Sequence, residues 1–515
     1  QSILKYTISP KTKISYWLYG ANNTYNFIPK DRITDFGNQI KTFRMKIYFD
    51  GNEEYTYKNL GNSITLHYNP QSHTFLDFSV LYYSANEHEN FDVFSQYRLS
   101  EIIPTDDNTS TVNDSTTILA IGSFLEHGRN SLSTNTSQFI HNGKYIFNNG
   151  TVSWGVSLAA NNYNAIYNEW TYIDSASYSI PYNDTQITLK NAKNSTITHS
   201  QNVSAVYANI SKRIEFNNTS NTTLKVSGGI RSTYDTYSAK ILHNPRLRLL
   251  LKPNSKKDVA ISLSLGRYYQ IAQFKELITT TGILELHVKP QKSSNYVLGY
   301  SQGLKIWNRP FVFQSEMYVK LLQSIIPYTI NNVSTIYYPN LEANGYIAGI
   351  DAKLNGEFVP GVESWINLSC MKAREQLSNG LSDQIRRPND QLINFGMFFQ
   401  DYLPGSENLK MNLTYLIGSK IPTSIPDAAY NEFDDYSIPV YTRIDIGFLM
   451  ILLDETKNTS KKTIKNMWVG AEIFNLLDNA NKISYFWIED ANQNFYGVPN
   501  YLTSRRLNVK LSIRI

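Results

Sequence analysis

The last nine residues of the chain, from Leu507 to Ile515, alternate between apolar and polar side chains. Successive residues of a β-strand point to opposite faces, so this pattern predicts a strand with one apolar and one polar face. The same period of two recurs along the chain, whereas a helix would repeat near every 3.6 residues. Clear examples begin at Phe43, Leu224, Val259, Ile393 and Ile444, and residues 41–50 and 63–69 are predicted to be two separate strands.

An antiparallel sheet in water also has one apolar face, and for a single strand that is the better interpretation. Over the whole chain, the repetition without complementary helices favours a membrane barrel that is apolar towards lipid and polar towards its lumen. About 22 alternating segments, in a range of about 18 to 24, are followed by turns or loops. The sequence therefore predicts an all-β, transmembrane antiparallel β-barrel of about 22 strands.

The connections alternate between short and long, which is typical of barrels with short periplasmic turns and long extracellular loops. Tight turns are predicted at residues 69–73, 252–255 and 404–406, and long loops at 105–117, 180–199, 374–391, 421–439 and 478–503. No change of composition divides the chain, so residues 1–515 are predicted to form one barrel domain without a plug domain. An even number of strands would place Gln1 and the C-terminus together on the periplasmic side.

The alternation also predicts which side chains share a face. Phe395, Val509 and Leu511 are predicted to face lipid, and Lys510 and Arg514 to face the lumen. Because lipid does not tolerate an open sheet edge, the final strand is predicted to pair with residues 3–8 or 13–20.

Composition agrees with a barrel and excludes other classes. The chain has 37 Tyr, 24 Phe and 7 Trp, which suits aromatic girdles at the two membrane interfaces. No apolar run approaches the roughly 20 residues of a spanning helix. The net charge of +5 comes without a basic block, so nucleic acid is not an expected partner. Cys370 is the single cysteine and is predicted to be a buried or lipid-facing small side chain.

Few residue groups suggest chemistry. Glu87-His88-Glu89 has metal ligands, but a solvated rim is the more common role of such a triplet. Asp427, Glu432, Asp434 and Asp435 have carboxylates for Ca²⁺ without the spacing of a known loop. Since no catalytic, cofactor or metal motif is recognised, we expect no enzyme, no cofactor and no metal site.

Two further groups leave alternatives open. Arg386-Arg387-Pro388 would suit phosphate or lipopolysaccharide, or would be a structural loop. The aromatic residues of the last long loop would stack a sugar or a partner protein, or would pack within the loop. These are Tyr485, Phe486, Trp487, Phe495, Tyr496 and Tyr501.

Several strings in the second half of the chain carry a resemblance. The most specific is Glu472-Ile473-Phe474-Asn475-Leu476-Leu477-Asp478, and the others are residues 266–270, 291–293, 345–365, 386–391, 399–404, 443–447 and 498–506. With these strings the chain resembles the barrel of TonB-dependent outer-membrane receptors of Bacteroidetes type, from about Arg267 to the end. The resemblance implies a 22-strand barrel in the bacterial outer membrane, filled by a plug domain that the TonB complex pulls to admit a scarce ligand.

No plug and no TonB box is recognised in this sequence, since its first segments already read as barrel strands. We therefore expect an uptake receptor whose plug lies outside these residues, with lipid, lipopolysaccharide and the TonB complex as partners. The alternatives are a scaffold subunit that binds other outer-membrane or surface lipoprotein chains, and a passive porin. The lumen is expected to be empty or filled by a segment outside the sequence, because the predicted loops are shorter than a domain. The sequence does not identify the ligand.

Overall fold

A computed structural model describes residues 2–37, 41–103, 115–175, 178–179, 189–216, 222–255, 257–331, 334–378, 383–406, 408–423, 436–453, 464–489 and 495–514. These residues form 28 β-strands and one short 3₁₀-helix. Among them there is no helix long and apolar enough to cross a membrane.

The strands are as follows: β1 Ser2–Ser9, β2 Thr12–Phe27, β3 Arg32–Gly37, β4 Thr42–Gln71, β5 Thr74–Ile103, β6 Ser115–Phe147, β7 Gly150–Ser175, β8 Tyr178–Ser179, β9 Lys190–Phe216, β10 Thr222–Asp235, β11 Lys240–Lys252, β12 Val259–Gln270, β13 Gln291–Ile306, β14 Arg309–Ile325, β15 Tyr328–Asn331, β16 Ser334–Tyr337, β17 Ala343–Val359, β18 Val362–Leu377, β19 Ile385–Arg386, β20 Ile393–Tyr402, β21 Leu409–Gly418, β22 Ile421–Thr423, β23 Tyr436–Ile438, β24 Tyr441–Leu453, β25 Asn466–Phe474, β26 Lys482–Glu489, β27 Phe495–Tyr501 and β28 Arg506–Arg514. The 3₁₀-helix is Phe274–Leu277.

One antiparallel sheet contains 22 of these strands, which confirms the predicted fold class. Three of the 22, namely β3, β8 and β19, lie in line with a longer strand against the same neighbour, so the sheet is 19 positions wide. The other strands form the three hairpins β15–β16, β22–β23 and β26–β27 within the long loops.

The ladder register places an apolar band on one face at all 19 positions, and we call this band the apolar belt. Directly paired residues of an antiparallel ladder share a face, so membership can be followed from strand to strand. One member at each position, in order across the sheet, is Leu4, Tyr16, Ile64, Val80, Phe139, Leu158, Val206, Ile230, Leu247, Leu263, Leu298, Met317, Ile350, Leu368, Phe395, Tyr415, Ile446, Val469 and Leu511.

The register therefore agrees with the predicted assignment of faces. Phe395 and Leu511 belong to the belt, and Val509 lies on the same face of β28. Lys510 and Arg514 lie on the opposite face, which is polar at this height and is the inner face of the barrel. Cys370 pairs with two belt residues and is half-buried, as expected for a small lipid-facing side chain.

Strand length divides the sheet into two halves. The strands β4, β5, β6, β7 and β9 have 30, 30, 33, 26 and 27 residues, and we call them the tall wall. The late strands β20, β21, β25 and β28 have 10, 10, 9 and 9 residues. About 9–11 residues suffice to cross a membrane. At about 3.4 Å per residue, β5 is about 100 Å long and would rise about 70 Å even at a tilt of about 45°.

The tall wall corrects two sequence predictions. Residues 41–50 and 63–69 read as separate strands, yet both belong to the continuous strand β4, because polar residues 51–62 keep their ladder with β5. The predicted loop at 180–199 is shorter than expected, since β9 begins at Lys190. Above a bilayer a strand has no lipid to face and needs no apolar alternation. The polar residues 51–62 of β4 therefore resemble a loop in the sequence.

The predicted seam is wrong for the described residues. There, β1 pairs with β2 and β28 pairs with β25, and no ladder joins β1 to β28. The physical reason is the odd number of positions. Both edge strands run towards the tight-turn end, so direct pairing would be parallel, and Ser2 lies on the loop side rather than the periplasmic side predicted for Gln1. Antiparallel closure requires an odd number of further strands.

Candidate functional site

In the tall wall, the outer face is apolar at the belt, and the inner face is apolar above the belt. Val80 of β5 belongs to the belt, whereas Tyr97 and Leu99 of the same strand lie on the other face. These two residues are 6% and 0% exposed, so the upper apolar face is covered by protein. The change follows from the surroundings, because the outer face meets lipid at the belt and water above it.

The same inversion corrects the predicted orientation of the alternating segment that begins at Phe43. Met45 and Ile47 of β4, both 1% exposed, lie on the inner face with Leu99 and Tyr97. Phe43 and Phe49 pack against the same buried cluster. The sequence interpretation that these apolar residues face lipid is therefore wrong.

The hairpin β26–β27 from the last loop covers this inner apolar surface. Val498, which is fully buried, packs with the strands β4, β5 and β6, and Phe486 and Tyr496 join the cluster. In addition, Arg32 Nη1 donates a hydrogen bond to Asn500 Oδ1 at 3.0 Å. Because the hairpin lies between β25 and β28 in the chain, it links the last strands to the first ones above the belt.

The aromatic cluster predicted in this loop is divided between the two faces of the hairpin. Phe486 packs against Phe124 of β6 and Tyr496 against Phe43 of β4, so both residues attach the hairpin to the wall. Tyr485 and Trp487 alternate with Phe486 along β26 and lie on the other face, with ring centroids 5.7 Å apart and planes inclined by 41°.

A second segment, residues 271–290 between β12 and β13, also folds against the inner face, and we call it the inner loop. Its 3₁₀-helix places Phe274 on Tyr163 of β7, with centroids 4.6 Å apart and planes within 4° of parallel. Phe274 and Ile278 pack with Leu132 and Ala165, all four being buried. The inner loop is therefore held by an apolar contact on the lumen side.

A cavity of about 380 Å³ lies between the inner loop and the wall. Its lining combines the stacked rings with amide and ammonium groups: Leu132, Tyr163, Gln201, Val203, Ile271, Ala272, Gln273, Phe274 and Lys275. Gln201 is held from behind, since its Nε2 donates to Asp235 Oδ1 at 2.7 Å and both residues are buried. An open concave surface that combines aromatic and apolar side chains with a few fixed polar groups can hold a ligand.

Five glutamates lie on the inner face between the covered upper cluster and the inner loop, and we call them the acidic band. The ladder places Glu53, Glu87, Glu89, Glu126 and Glu169 on the same face of four neighbouring strands. Two cations approach them. Lys275 Nζ of the inner loop lies 2.7 Å from Glu87 Oε2, and Lys193 Nζ lies 3.4 Å from Glu169 Oε1.

Neutral groups complete the contacts of the acidic band. Asn130 Nδ2 donates to Glu89 Oε2 at 3.0 Å and to Glu169 Oε2 at 2.6 Å. The Tyr55 hydroxyl donates to Glu87 Oε2 at 3.0 Å. The carboxylates are thus held apart on a hydrogen-bonded frame rather than gathered around one point.

Burial and mutual repulsion raise the pKa of two carboxyl groups of the band, those of Glu53 and Glu126. Burial, with Glu89 nearby, raises the pKa of Glu53, and burial, with Glu53 nearby, raises the pKa of Glu126. Burial and the adjacent Glu169 raise the pKa of Tyr167 to about 12. With five glutamates and only Lys193 and Lys275 as their cationic contacts, the acidic band is a net negative region, which attracts cations and repels anions.

The structure places the predicted metal triplet within β5 rather than at a strand end. Glu87 and Glu89 face inward, and His88 faces outward, because neighbouring residues of a strand alternate. In the part of the chain that the structure describes, no three His, Cys, Asp or Glu side chains are grouped to hold a metal ion. Asp427, Glu432, Asp434 and Asp435 lie outside the described residues.

The arginine pair has a structural role. Arg386 Nε donates to Asp390 Oδ2 at 2.8 Å, and Arg387 pairs with the fully buried Glu375. Arg374 Nη1 also donates to Asp390 Oδ2, at 2.6 Å. These bonds fasten the loop after β18 to that strand, so the two guanidinium groups are occupied by carboxylates of the chain.

Sequence reasoning did not find the acidic band or the inner loop. The glutamates are distributed over more than a hundred residues on β4 to β7, and only the ladder brings them together. A signal existed in the polar character of residues 51–62 and 86–92, which interrupts the apolar alternation at the same height of two paired strands.

Comparisons with known proteins agree with this architecture. A family model described as TonB dependent receptor-like, beta-barrel, matches residues 7–476. The ferric enterobactin receptor PfeA from Pseudomonas aeruginosa, solved as a mutant, is similar with a TM-score of 0.52 and 11% identity, over 99% of this chain and 79% of that chain. The copper transporter OprC is similar with a TM-score of 0.50 and 12% identity, over 97% of this chain and 80% of that one. At these identities the likeness concerns the fold alone. No curated protein matches the sequence significantly.

Proposed function

Because the chain belongs to the family of TonB-dependent receptor-like β-barrels, we propose that it is the barrel of a bacterial outer-membrane receptor for the uptake of a scarce ligand. The ligand enters at the loop side, passes the acidic band and then the cavity, and leaves at the tight-turn side. Uptake is driven by the TonB complex acting on a plug that lies outside the described residues. A Bacteroidetes type of receptor remains part of this proposal.

The observation that carries the proposal is the separation of the two faces. An apolar belt at every one of the 19 positions faces outward, while the inner face is polar and carries a cavity of about 380 Å³ and an acidic band. A soluble sheet would bury its continuous apolar face, and a passive pore would need no cavity at its mouth. The inner loop and the hairpin β26–β27 both pack on the inner face of the wall.

The two edge strands of the described sheet, β1 and β28, support the proposal that a further component completes the barrel. The strands β1 and β28 run in the same direction, and Tyr6 and Leu507 on them are 71% and 68% exposed. Lipid does not accommodate unpaired strand edges. A further segment or chain therefore supplies an odd number of strands together with the plug.

A growth experiment tests the uptake function. Cells with and without the complete gene are grown under separate limitation for metal ions and for carbohydrates, each in the presence and absence of TonB. The proposal expects an advantage under at least one limitation that disappears without TonB. An advantage that persists without TonB, or no advantage under any limitation, would contradict it.

The tall wall favours a second candidate, the scaffold subunit. Strands that rise far above the belt offer an outer surface to other chains at the cell surface. Purification in mild detergent distinguishes the two functions, since a scaffold retains stoichiometric partner chains. A porin would instead admit vancomycin to cells that express the complete gene and would show large conductance in a planar bilayer.

A further inference from the structure

Aromatic side chains follow the inner face of β2, β4 and β5 upward from the height of the belt. The belt residue Tyr16 faces outward, so the odd-numbered residues of β2 and their ladder partners on β4 and β5 face inward. On these strands seven inward rings follow one another, and we call them the aromatic column: Trp17, Tyr19, Tyr25, Phe27, Tyr55, Tyr57 and Tyr83. The column runs for about 34 Å along β2, from residue 17 to residue 27.

The two ends of the column are pairs of parallel rings. At the lower end, the centroids of Trp17 and Tyr19 lie 5.9 Å apart and the planes are inclined by 3°. At the upper end, the centroids of Tyr25 and Phe27 lie 6.3 Å apart and the planes are inclined by 6°. The upper pair is 58% and 43% exposed, so its rings are accessible from the loop side.

The middle of the column is held by direct contacts between its members. The hydroxyl groups of Tyr57 and Tyr83 are hydrogen-bonded at 2.9 Å. A side chain at Gly61 would meet the rings of Trp17 and Tyr83 at 3.2 Å and 3.4 Å, so the glycine leaves room for both rings to lie across β4. The column is therefore an ordered surface and not a set of independent side chains.

The charge beside the column has one sign. Three glutamates of the acidic band are direct ladder partners of its rings: Glu53 of Phe27, Glu87 of Tyr57 and Glu89 of Tyr55. The inward positions among residues 17–27 of β2, 53–63 of β4 and 81–91 of β5 include no arginine and no lysine. Lys275 of the inner loop reaches Glu87 from outside these strands. The column therefore combines aromatic faces with a net negative charge.

A contact within the chain shows which chemical group suits this combination. On the same inner face, Lys193 Nζ lies 3.9 Å from the centroid of the Tyr167 ring and 3.4 Å from Glu169 Oε1. An ammonium group is attracted to the face of an aromatic ring, and this attraction is stronger where water is excluded. The ring and the neighbouring carboxylate thus hold an ammonium group that ends a carbon chain. The column presents the same two groups at Tyr55 and Phe27.

We propose that the aromatic column binds an organic cation in which ammonium or guanidinium groups are joined by a carbon chain. As the class of ligand that is taken up, this cation rests on the proposed function, whereas its binding rests on the column alone. The rings cover the carbon chain, and the rings and the glutamates together hold the charges. The negative charge repels an anion, a neutral sugar gains nothing from it, and an inorganic cation has no carbon chain to lay on the rings.

The test measures the binding of spermine to the purified complete protein in detergent by isothermal titration calorimetry. Maltotetraose is the neutral probe, and Mg²⁺ is the inorganic cation. The variant Y25L/F27L removes the two most exposed rings of the column and keeps apolar side chains in their place. The matched control Y48L removes a ring that is 55% exposed on the outer face of β4.

The wild-type protein is expected to bind spermine more tightly than Mg²⁺ or maltotetraose. The loss of two contacts between a ring and a cation should weaken spermine binding about fivefold in Y25L/F27L. Y48L should keep the wild-type affinity, and both variants should keep the β-sheet circular dichroism of the wild type. The proposal would be overturned by unchanged affinity in Y25L/F27L, by an equal loss in Y48L, or by binding of Mg²⁺ or maltotetraose at least as tight as that of spermine.

A growth measurement separates this proposal from the proposed function. Cells that express the complete gene are grown with spermine as the only nitrogen source, in the presence and absence of TonB. A TonB-dependent advantage supports both proposals. Spermine binding that depends on the column, without such an advantage, would support the binding site and contradict spermine-type cations as the ligand that is taken up.

Discussion

The tall wall and the short late strands use the same alternating pattern in two different ways. In the late strands, such as β28 with its nine residues, the apolar positions stay on the lipid face throughout. In the tall wall they lie outside at the belt and inside above it, where a hairpin and a loop cover them. The comparison shows that alternation with a period of two means only that the two faces of a strand differ. Whether a face meets lipid, water or protein decides which of the two is apolar.

The two halves also fasten their upper ends differently. The tall wall relies on apolar packing around Leu99 and Val498, which are both fully buried. The loop after β18 relies on ion pairs, in which Asp390 and Glu375 are 3% and 0% exposed and bind three arginines. Substitutions that remove apolar packing should therefore affect the tall wall, and substitutions or pH changes that remove charge should affect the loop after β18.

The largest effect is expected for Leu99→Ala in the upper wall. A buried leucine replaced by alanine costs about 2–5 kcal/mol through lost burial and the cavity that remains. The free energy of unfolding should fall by that amount, and protease should cut the β26–β27 hairpin sooner. Leu511→Ala, which shortens a lipid-facing side chain of β28, is the control and should leave hairpin cleavage unchanged.

The next largest loss of stability is expected in the part of the apolar belt that the short late strands form. Phe395→Arg places a charge on the lipid face and should cost about 2–4 kcal/mol if the position is near the bilayer midplane, as measured by unfolding from vesicles. Phe49→Arg provides the sharp contrast, because Phe49 packs on the inner face above the belt. Its substitution should release the hairpin without preventing membrane insertion. Equal insertion defects for both variants would refute the inversion.

Acid should loosen the loop after β18 and leave the upper wall in place. Burial alone would raise the pKa of Asp390, but hydrogen bonds from Arg386, from the Ala373 amide and from Arg374 outweigh it and lower the pKa. A lowered pKa adds stability above the unfolded value of about 3.9, and that stability is lost as the pH falls through the lower folded value. The protection of residues 385–390 against hydrogen exchange should fall below about pH 4. Unchanged protection there, or an equal loss of protection in β27, would contradict the comparison.

The smallest effect is expected at the inner loop. The ion pair between Lys275 and Glu87 is partly exposed, and such pairs contribute about 0–1 kcal/mol. Lys275→Met should therefore speed hydrogen exchange of residues 273–278 only slightly, because the packing of Phe274 persists. Phe274→Ala should speed it far more. A larger effect from Lys275→Met would mean that charge rather than packing holds the loop.

The outcome at particular residues shows how far the sequence could be read. The fold class, the shared face of Phe395 and Leu511, the tight turns and the half-buried position of Cys370 on the belt face followed from alternation and turn chemistry. The orientation of Met45 and Ile47 did not follow, because their pattern is the same whether lipid or a hairpin covers them. The closing ladder failed because it depended on an even number of strands, and the count of alternating segments does not reveal which of them lie in line.

By itself, the sequence determined an all-β chain with two chemically different faces, because side-chain direction in a strand is a local property of the backbone. The tertiary structure alone decided the continuity of β4 through its polar middle, the gathering of Glu53, Glu126 and Glu169 on one face, and the cover that β26–β27 provides. These features depend on register between residues far apart in sequence and on the position of the membrane. Neither is encoded in the period of a single strand.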